Sequence, residues 1–596
     1  MSAKLPGSAG PTAPNFPTAS DSPTKISFPI STAATCACAN LCRFPFGIEI
    51  MTQTNSKRDT PERRIGQRAF SGVVWSMVDR GASQIVAFLA TVIMARMLTP
   101  GDYGLIGLLL IFVEVGEALA AAGVTQALVA GGMKNPAEGK IALAINLAIG
   151  FVIYALLWLA APLIADFYAE PQLIPLARMV GWCVPLRACC CLSEARLMHS
   201  LQYRRRAVAI LCALTGAGII GVSAAAAGSG VTAIALYMVA QSALTLICLS
   251  IAAGGISGAD DSVQPSPLTK SSSVAQADNH ADEASQDSCA RFSNTIGIIR
   301  RLSHYGLRLT AARLADVACN NSFLILIGRL FPVADVGLFT RARQFASVPS
   351  ISMSEVVKRV SYPILCRYAD MPRLQLRYSM RMSTLTMAVA MPAMLTLALL
   401  SAPIVDLVLG QKWMAVAPLM TWLCLGMMWT PLDGINLTLI LASGRVGDIV
   451  KIELIRKIIP LIGLLATFRF GLTAICIGFA LSGLLAMLAT ALYAFYPDWK
   501  SGRVAEDRVA EDRVAEDKES ARKQSLLTSS KISVAALAAA LFARLGITAI
   551  PLSPAWLQLL VGLSLAIGSY LLLIRLFRID ELAEITRRLR FFFRKA

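Results

Sequence analysis

The sequence predicts an all-α polytopic membrane protein. It has about 14 transmembrane helices, arranged as two pseudo-symmetric six-helix lobes with two helices appended. Three observations carry this expectation. Of 596 residues, 56% are hydrophobic and only 15% charged, whereas a soluble chain is roughly 45–50% apolar and about 25% charged. Windows of about 20 mostly apolar residues recur along most of the chain, long enough to cross a hydrocarbon core of ~30 Å at ~1.5 Å per residue. Finally, "RMLTPGDYGL" at Arg96–Leu105 returns as "RLFPVADVGL" at Arg329–Leu338, with Arg, Asp, Gly and Leu in the same places 233 residues apart. A β-barrel would alternate polar and apolar residues and would lack such runs.

Residues 1–65 are rich in Ser, Thr, Pro and Ala and contain no apolar run. They read as a disordered tail rather than a signal peptide or a span. Within them, Met51 opens a second candidate start, "MTQTNSKRDTPERR". The first lobe, 66–256, holds apolar intervals near 70–95, 103–130, 141–165, 173–195, 207–227 and 231–255. A hydrophilic linker follows at 257–303, containing "SGADDSVQPSP". The second lobe, 304–497, holds intervals near 305–328, 336–365, 382–409, 414–441, 449–468 and 472–496. A charged loop at 498–531 carries "RVAEDRVAEDRVAED", a low-complexity solvated helix or coil. Intervals near 532–550 and 556–574 are the appended pair, and 575–596 is a basic tail.

Lys and Arg in short connections set orientation. With the N-terminus cytoplasmic, the inner side receives Arg63, Arg64, Arg68, Lys134, Lys140, Arg204–Arg206, Arg300, Arg301, Arg367, Arg373, Arg377, Arg381, Arg445 and Lys451. The outer connections hold only Arg96, Arg329, Lys412 and Arg469. Both termini and both long hydrophilic loops are therefore expected inside. Because the net charge of +18 sits mostly in these connections, it describes topology rather than a groove for nucleic acid. The 3 His stand apart and the 14 Cys lie mostly in apolar runs, including Cys189–Cys191, so packing is expected and a metal centre is not. No P-loop is present, and no cofactor is expected.

Each copy of the phrase closes one span and opens the next. Its Asp is placed to cap a helix start and its Gly to let helices approach closely, so the plain reading is a structural turn. Its register adds more. Extended backward by the same 233 residues, Arg80 falls on Arg313, both inside spans. Six spans separate the copies, so both enter the membrane from the same side. That is a parallel repeat about an axis along the membrane normal, with a site expected between the lobes.

"ARMLTPGDYGLIGLLLIF", followed by "GVTQALV" at Gly123–Val129, resembles the first hairpin of bacterial polysaccharide-repeat-unit flippases of the Wzx type. These belong to the multidrug/oligosaccharidyl-lipid/polysaccharide exporter superfamily. "GLFTRARQFASVPS" at Gly337–Ser350, "YPIL" at Tyr362–Leu365 and "LILASGR" at Leu439–Arg445 resemble later parts of that family, and the likeness covers roughly residues 66–497. Where the family has Tyr with Asp or Asn before an Arg-Ala step, this chain has Phe339-Thr340-Arg341-Ala342. The resemblance implies two lobes that alternate between inward and outward openings.

Charges inside spans mark candidate sites, because each costs ~2.5–3.5 kcal/mol at mid-depth unless paired or hydrated. Span 1 has Asp79 and Arg80 just before Ser83 and Gln84. Span 2 has Glu114 and Glu117. In span 7, Arg313, Asp316 and Asn320 share a face, with Arg308 about a turn earlier; in span 8, Arg341, Gln344, Ser352, Glu355 and Arg359 do so, with Arg343 close by. Ion pairs such as Arg80 with Glu114 or Arg313 with Asp316 are the plain alternative. The surplus of Arg points to an anionic cargo, since a guanidinium grips phosphate in bidentate fashion. Arg80, Arg308, Arg313 and Arg341 are thus the expected headgroup contacts, and Asp79, Glu114, Glu117 and Asp316 the candidates for ion coupling.

These readings lead to a flippase, not an enzyme, that moves a polyprenyl-pyrophosphate-linked oligosaccharide from the cytoplasmic to the outer leaflet of the bacterial cell membrane. Such a protein serves lipopolysaccharide, capsule or exopolysaccharide biosynthesis. Its expected partners are the lipid-linked oligosaccharide, membrane lipids, a polysaccharide polymerase and glycosyltransferases, with no nucleic acid. A drug/cation antiporter of the same superfamily is the alternative, and a polymerase or ligase a second. Acidic and aromatic walls would favour the antiporter, and a large outer loop the polymerase.

Overall fold

The computed structural model describes residues 80–121, 136–200, 202–254, 314, 317, 321–369, 371–495, 508–549 and 554–577. Among them the chain is helical, with no strand. We number the helices α1 (80–97), α2 (Pro100–Ala121), α3 (Pro136–Tyr168), α4 (Leu173–Val180), α5 (Cys183–His199), α6 (Tyr203–Ala226) and α7 (Val231–Gly254) in the first lobe. The second lobe has α8 (Asn321–Leu330), α9 (Val333–Arg367), α10 (Pro372–Leu399), α11 (Ser401–Val408), α12 (Val416–Met427), α13 (Thr430–Ala442), α14 (Val446–Thr467) and α15 (Leu472–Phe495). The appended pair is α16 (Arg508–Ala549) and α17 (Ala555–Leu576).

Among the described residues, 9 helices are long and apolar enough to cross a membrane. The long helices outside that set include α2 and α9, which carry charges that sequence reading placed inside spans, and α14, whose charges it did not single out. Helices α2 and α9 pack along one another and join the lobes, and α14 packs on α15 in the second lobe. Helices whose charges stand only near their ends, such as α3 and α17, face lipid on most of their surface.

The repeat is visible in the backbone. Helix α1 ends at residue 97 and α2 begins at Pro100; α8 ends at Leu330 and α9 begins at Val333. Both boundaries keep the 233-residue register. Prolines also recur in equivalent spans, Pro162 inside α3 and Pro392 inside α10.

Two expected spans, near 173–195 and 414–441, are each a pair of helices in line. The first breaks at Gly181–Trp182 and the second at Met428–Trp429. Pro185 and Pro431 stand one turn beyond these breaks. A proline inside a helix has no N–H to donate, and its ring collides with the carbonyl four residues back, which is Gly181 in one case and Met427 in the other. The fourth span of each lobe is therefore interrupted along its length, the kind of paired interruption that marks binding regions in repeat-built transporters.

The appended helices pack against α10. Ala535, Ala536, Ala539 and Ala540 of α16 sit on Met387, Ala388, Met391 and Leu395, and the Tyr570 hydroxyl of α17 donates to the Ala388 carbonyl at 2.7 Å. Helix α16 has 42 residues and is continuous from the RVAED repeat. At ~1.5 Å per residue it is about 63 Å long, twice the ~30 Å core, so the second and third pentapeptides of the repeat form a helical extension of span 13.

Candidate functional site

The two copies of the phrase pack on each other. A Cβ on Gly104 would lie 2.7 Å from the Val333 carbonyl carbon, and one on Gly337 would lie 2.8 Å from the Pro100 carbonyl carbon. Val333 is the register partner of Pro100, and Gly337 that of Gly104, so the contact is reciprocal about a two-fold axis. One turn deeper, a Cβ on Gly107 would meet Thr340 Cγ2 at 3.0 Å, again across equivalent positions. Only glycine lets the helix backbones approach this closely.

The expected Asp caps take two forms. Thr99 and Asp102 build a reciprocal box: the Asp102 carboxylate accepts from Thr99 N at 2.9 Å, and Thr99 Oγ1 accepts from Asp102 N at 3.4 Å. In the second copy Pro332 occupies the cap position. It has neither an N–H nor a side-chain acceptor, so this box does not form.

Beneath this seam lies Arg341, one of the expected headgroup residues. Its guanidinium carbon sits 4.2 Å from the ring centre of Tyr103, across the lobe boundary. Tyr103 is buried, packs edge-on against Trp413 at 5.5 Å and donates to the Thr91 carbonyl at 3.1 Å. Arg341 Nε and Nη1 are enclosed, and neither has a hydrogen-bond partner among the described residues. A cation–π contact returns about 0.5–2 kcal/mol, whereas enclosing an ion costs several kcal/mol. The charge is thus under-compensated at the axis between the lobes.

The other expected site residues are placed as follows. Arg80 Nη1 meets Glu355 Oε2 at 3.1 Å, an exposed ion pair between the lobes that Lys358 joins from 3.7 Å. Arg80 is therefore paired with span 8 rather than with Glu114. Glu114 accepts instead from the Asn321 amide at 2.7 Å, also across the lobe boundary, and its charge acts on half-buried Arg343. Glu117 feels the charge of Arg187. Asp79, Arg308, Arg313 and Asp316 lie outside the described residues. The convergence of Arg80 and Arg313 on one cavity stays an expectation.

A polar cluster that sequence reading passed over lies inside the second lobe. A cavity of about 240 Å³ opens beside the α12/α13 break, lined by Arg343, Trp429, Asp433, Arg456 and Lys457 among others. Asp433 is 5% exposed; Arg456 pairs with it at 2.5 Å and with Glu453 at 2.8 Å, and Thr490 Oγ1 donates to it at 2.5 Å. The signal was present in "TPLDG", a carboxylate one turn into a proline-started helix. Arg343 lines this cavity and also feels Glu114, so polar groups run from the first lobe into the second.

Comparison with known proteins gives this architecture relatives. The profile of the family described as "Polysaccharide biosynthesis protein" matches residues 93–254 and 287–418, which takes in both copies of the phrase. The chain is similar to that family over just under half of its length. It is a multi-pass membrane protein, 21% identical over 353 residues to the Succinoglycan biosynthesis transport protein ExoT of Rhizobium meliloti (strain 1021) and 22% identical over 374 residues to the Lipopolysaccharide biosynthesis protein WzxC of Escherichia coli (strain K12). These alignments cover 59% and 60% of this chain and 65% and 66% of those proteins, so the chain spans just under two thirds of the length of the curated relatives it matches. Among solved structures, the lipid II flippase MurJ in an inward closed conformation superposes with a TM-score of 0.60 at 11% identity, over 86% of this chain and all of that one. That likeness shows the fold.

Proposed function

We propose that this protein is a flippase for polyprenyl-pyrophosphate-linked oligosaccharides. It carries them from the cytoplasmic to the outer leaflet of the bacterial cell membrane by alternating access between its lobes, with both termini cytoplasmic. The names of its relatives place them in the synthesis and transport of surface polysaccharides. The observation that carries the reading is Arg341, an enclosed and under-compensated guanidinium on the axis relating the lobes. A diphosphate brought to that axis supplies the missing acceptors in bidentate geometry. Arg80, Arg308 and Arg313 are further contacts of the same reading, and Glu114, with Asp79, Glu117 and Asp316, the groups for ion exchange. The transmembrane potential adds drive, about 2.3 kcal/mol per charge per 100 mV, for an anion leaving an inside-negative cell. Polymerase and glycosyltransferases are the enzymes that consume and supply such a cargo.

Export in a host lacking its own flippase tests this. Arg341→Ala should abolish export at normal protein levels, and Arg341→Lys should restore only part, because the ammonium keeps the charge without the planar fork. Full export by Arg341→Ala would remove the carrying observation.

A further inference from the structure

Each phrase arginine reaches across to the end of the other lobe's third span, but the two crossings differ. Arg96, in the last turn of α1, donates from Nε to the Val408 carbonyl at 3.0 Å and from Nη2 to the Leu407 carbonyl. These are terminal carbonyls of α11, which have no partner within their own helix. The favour is returned. Gly410, at φ +91°, turns the chain so that Lys412 Nζ donates to the Arg96 carbonyl at 2.7 Å and Trp413 Nε1 to the Ala95 carbonyl at 2.8 Å. Two helix ends from different lobes thus cap one another through a clasp of four hydrogen bonds. On the equivalent side, among the described residues, Arg329 of α8 lies over the Phe167 ring of α3, 5.8 Å from its centre, with no hydrogen bond across.

We propose that this end of the seam opens asymmetrically: the Arg96–Lys412–Trp413 clasp is the latch that holds it shut, and the Arg329–Phe167 side parts first. The inference rests on the alternating-access reading above, in which this seam must open. A hydrogen bond to a charged group is worth at least about tenfold in an equilibrium, and an exposed cation–π contact about two- to fivefold. The clasp therefore dominates the closed state at this end. The sequence repeat hides the difference, because Arg96 and Arg329 occupy the same place in the phrase while their partners do not repeat.

Hydrogen exchange read by mass spectrometry, on the full chain in lipid nanodiscs without cargo, tests it. Arg96→Ala should speed exchange of peptides covering 95–104 and 407–414 by about tenfold. Arg329→Ala should stay within about fivefold of wild type. Peptides from α6 and α7 should be unchanged in both, showing that the fold is intact. If Arg96→Ala expresses poorly, Trp413→Phe keeps an aromatic ring while losing the donation and part of the buried indole, and should move the same peptides the same way. Equal effects of Arg96→Ala and Arg329→Ala, or none from Arg96→Ala and Trp413→Phe, would overturn the proposal. The measurement needs no cargo, so its failure is separable from a failure to flip lipid-linked sugar.

Discussion

Adding a single methyl group at the seam should weaken it, and the two places to add one should not behave independently. Gly104→Ala puts a Cβ 2.7 Å from the Val333 carbonyl carbon, and Gly337→Ala puts one 2.8 Å from the Pro100 carbonyl carbon. Ordinary carbon contacts lie at about 3.5–4.0 Å, so α2 and α9 must separate by roughly 1 Å. Overpacking of this size costs about 1–3 kcal/mol, which moves a closed-to-open equilibrium roughly 5- to 150-fold. The same separation relieves both collisions, because the contacts are reciprocal about one axis. The double variant should therefore cost little more than either single one, a coupling as large as the single effect. The assay is the labelling rate of a cysteine at Leu108, which is fully buried just below the seam, by a membrane-impermeant maleimide in a background without other cysteines. Each glycine variant should label faster, and the double at nearly the single rate. Additive effects in the double variant would show that the two glycines do not share one contact, and the two-fold seam would be wrong.

Three further outcomes are expected. Arg456→Gln strands Asp433, whose side chain is 7% exposed, with Thr490 alone, and should cost about 3–5 kcal/mol in a thermal or denaturant melt; Asp433→Asn should cost less, since Arg456 keeps Glu453, and the double variant should recover part of the loss. Deleting two of the three RVAED pentapeptides should leave export near wild type, since the second and third lie on the part of α16 beyond its apolar span, residues 527–547; lost export at normal protein level would contradict this. Reporter fusions at Asp166 and Ser553 should read as outside and those at Gln276 and Asp512 as inside, and an outside signal at Gln276 would reverse the orientation used here.

How much of this could be read from the sequence depends on the range of each interaction. Helix positions are legible because hydropathy is a one-dimensional property, and the described part of each expected interval contains helix, nine of these helices being long and apolar enough to cross a membrane. The Thr99–Asp102 box is local and legible for the same reason. So are the breaks before Pro185 and Pro431, although the expected spans ran through them. The seam was half legible: the register named the residues that pair, but nothing along the chain says that Gly104 packs on the copy of its own phrase rather than on a neighbour. Partners of the buried charges were not legible. Asn321 stands 207 residues from Glu114, and Arg80 reached Glu355, 275 residues away, instead of the nearer Glu114. Asp433 escaped notice because its counter-charge, Arg456, belongs to the next span, α14.

The central claim is that an anionic lipid-linked sugar crosses between the lobes past Arg341. Reconstituting the purified full-length protein in liposomes that carry a labelled polyprenyl-diphosphate oligosaccharide in the inner leaflet tests it most directly, with enzymatic or chemical capture of the sugar at the outer face as the readout. The account predicts capture well above that of protein-free liposomes, reduced about tenfold or more by Arg341→Ala, as expected for losing a charge-assisted contact of at least ~1.4 kcal/mol, and partly regained by Arg341→Lys. Wild-type protein that moves no sugar, or Arg341→Ala that moves it at the wild-type rate, would contradict the account.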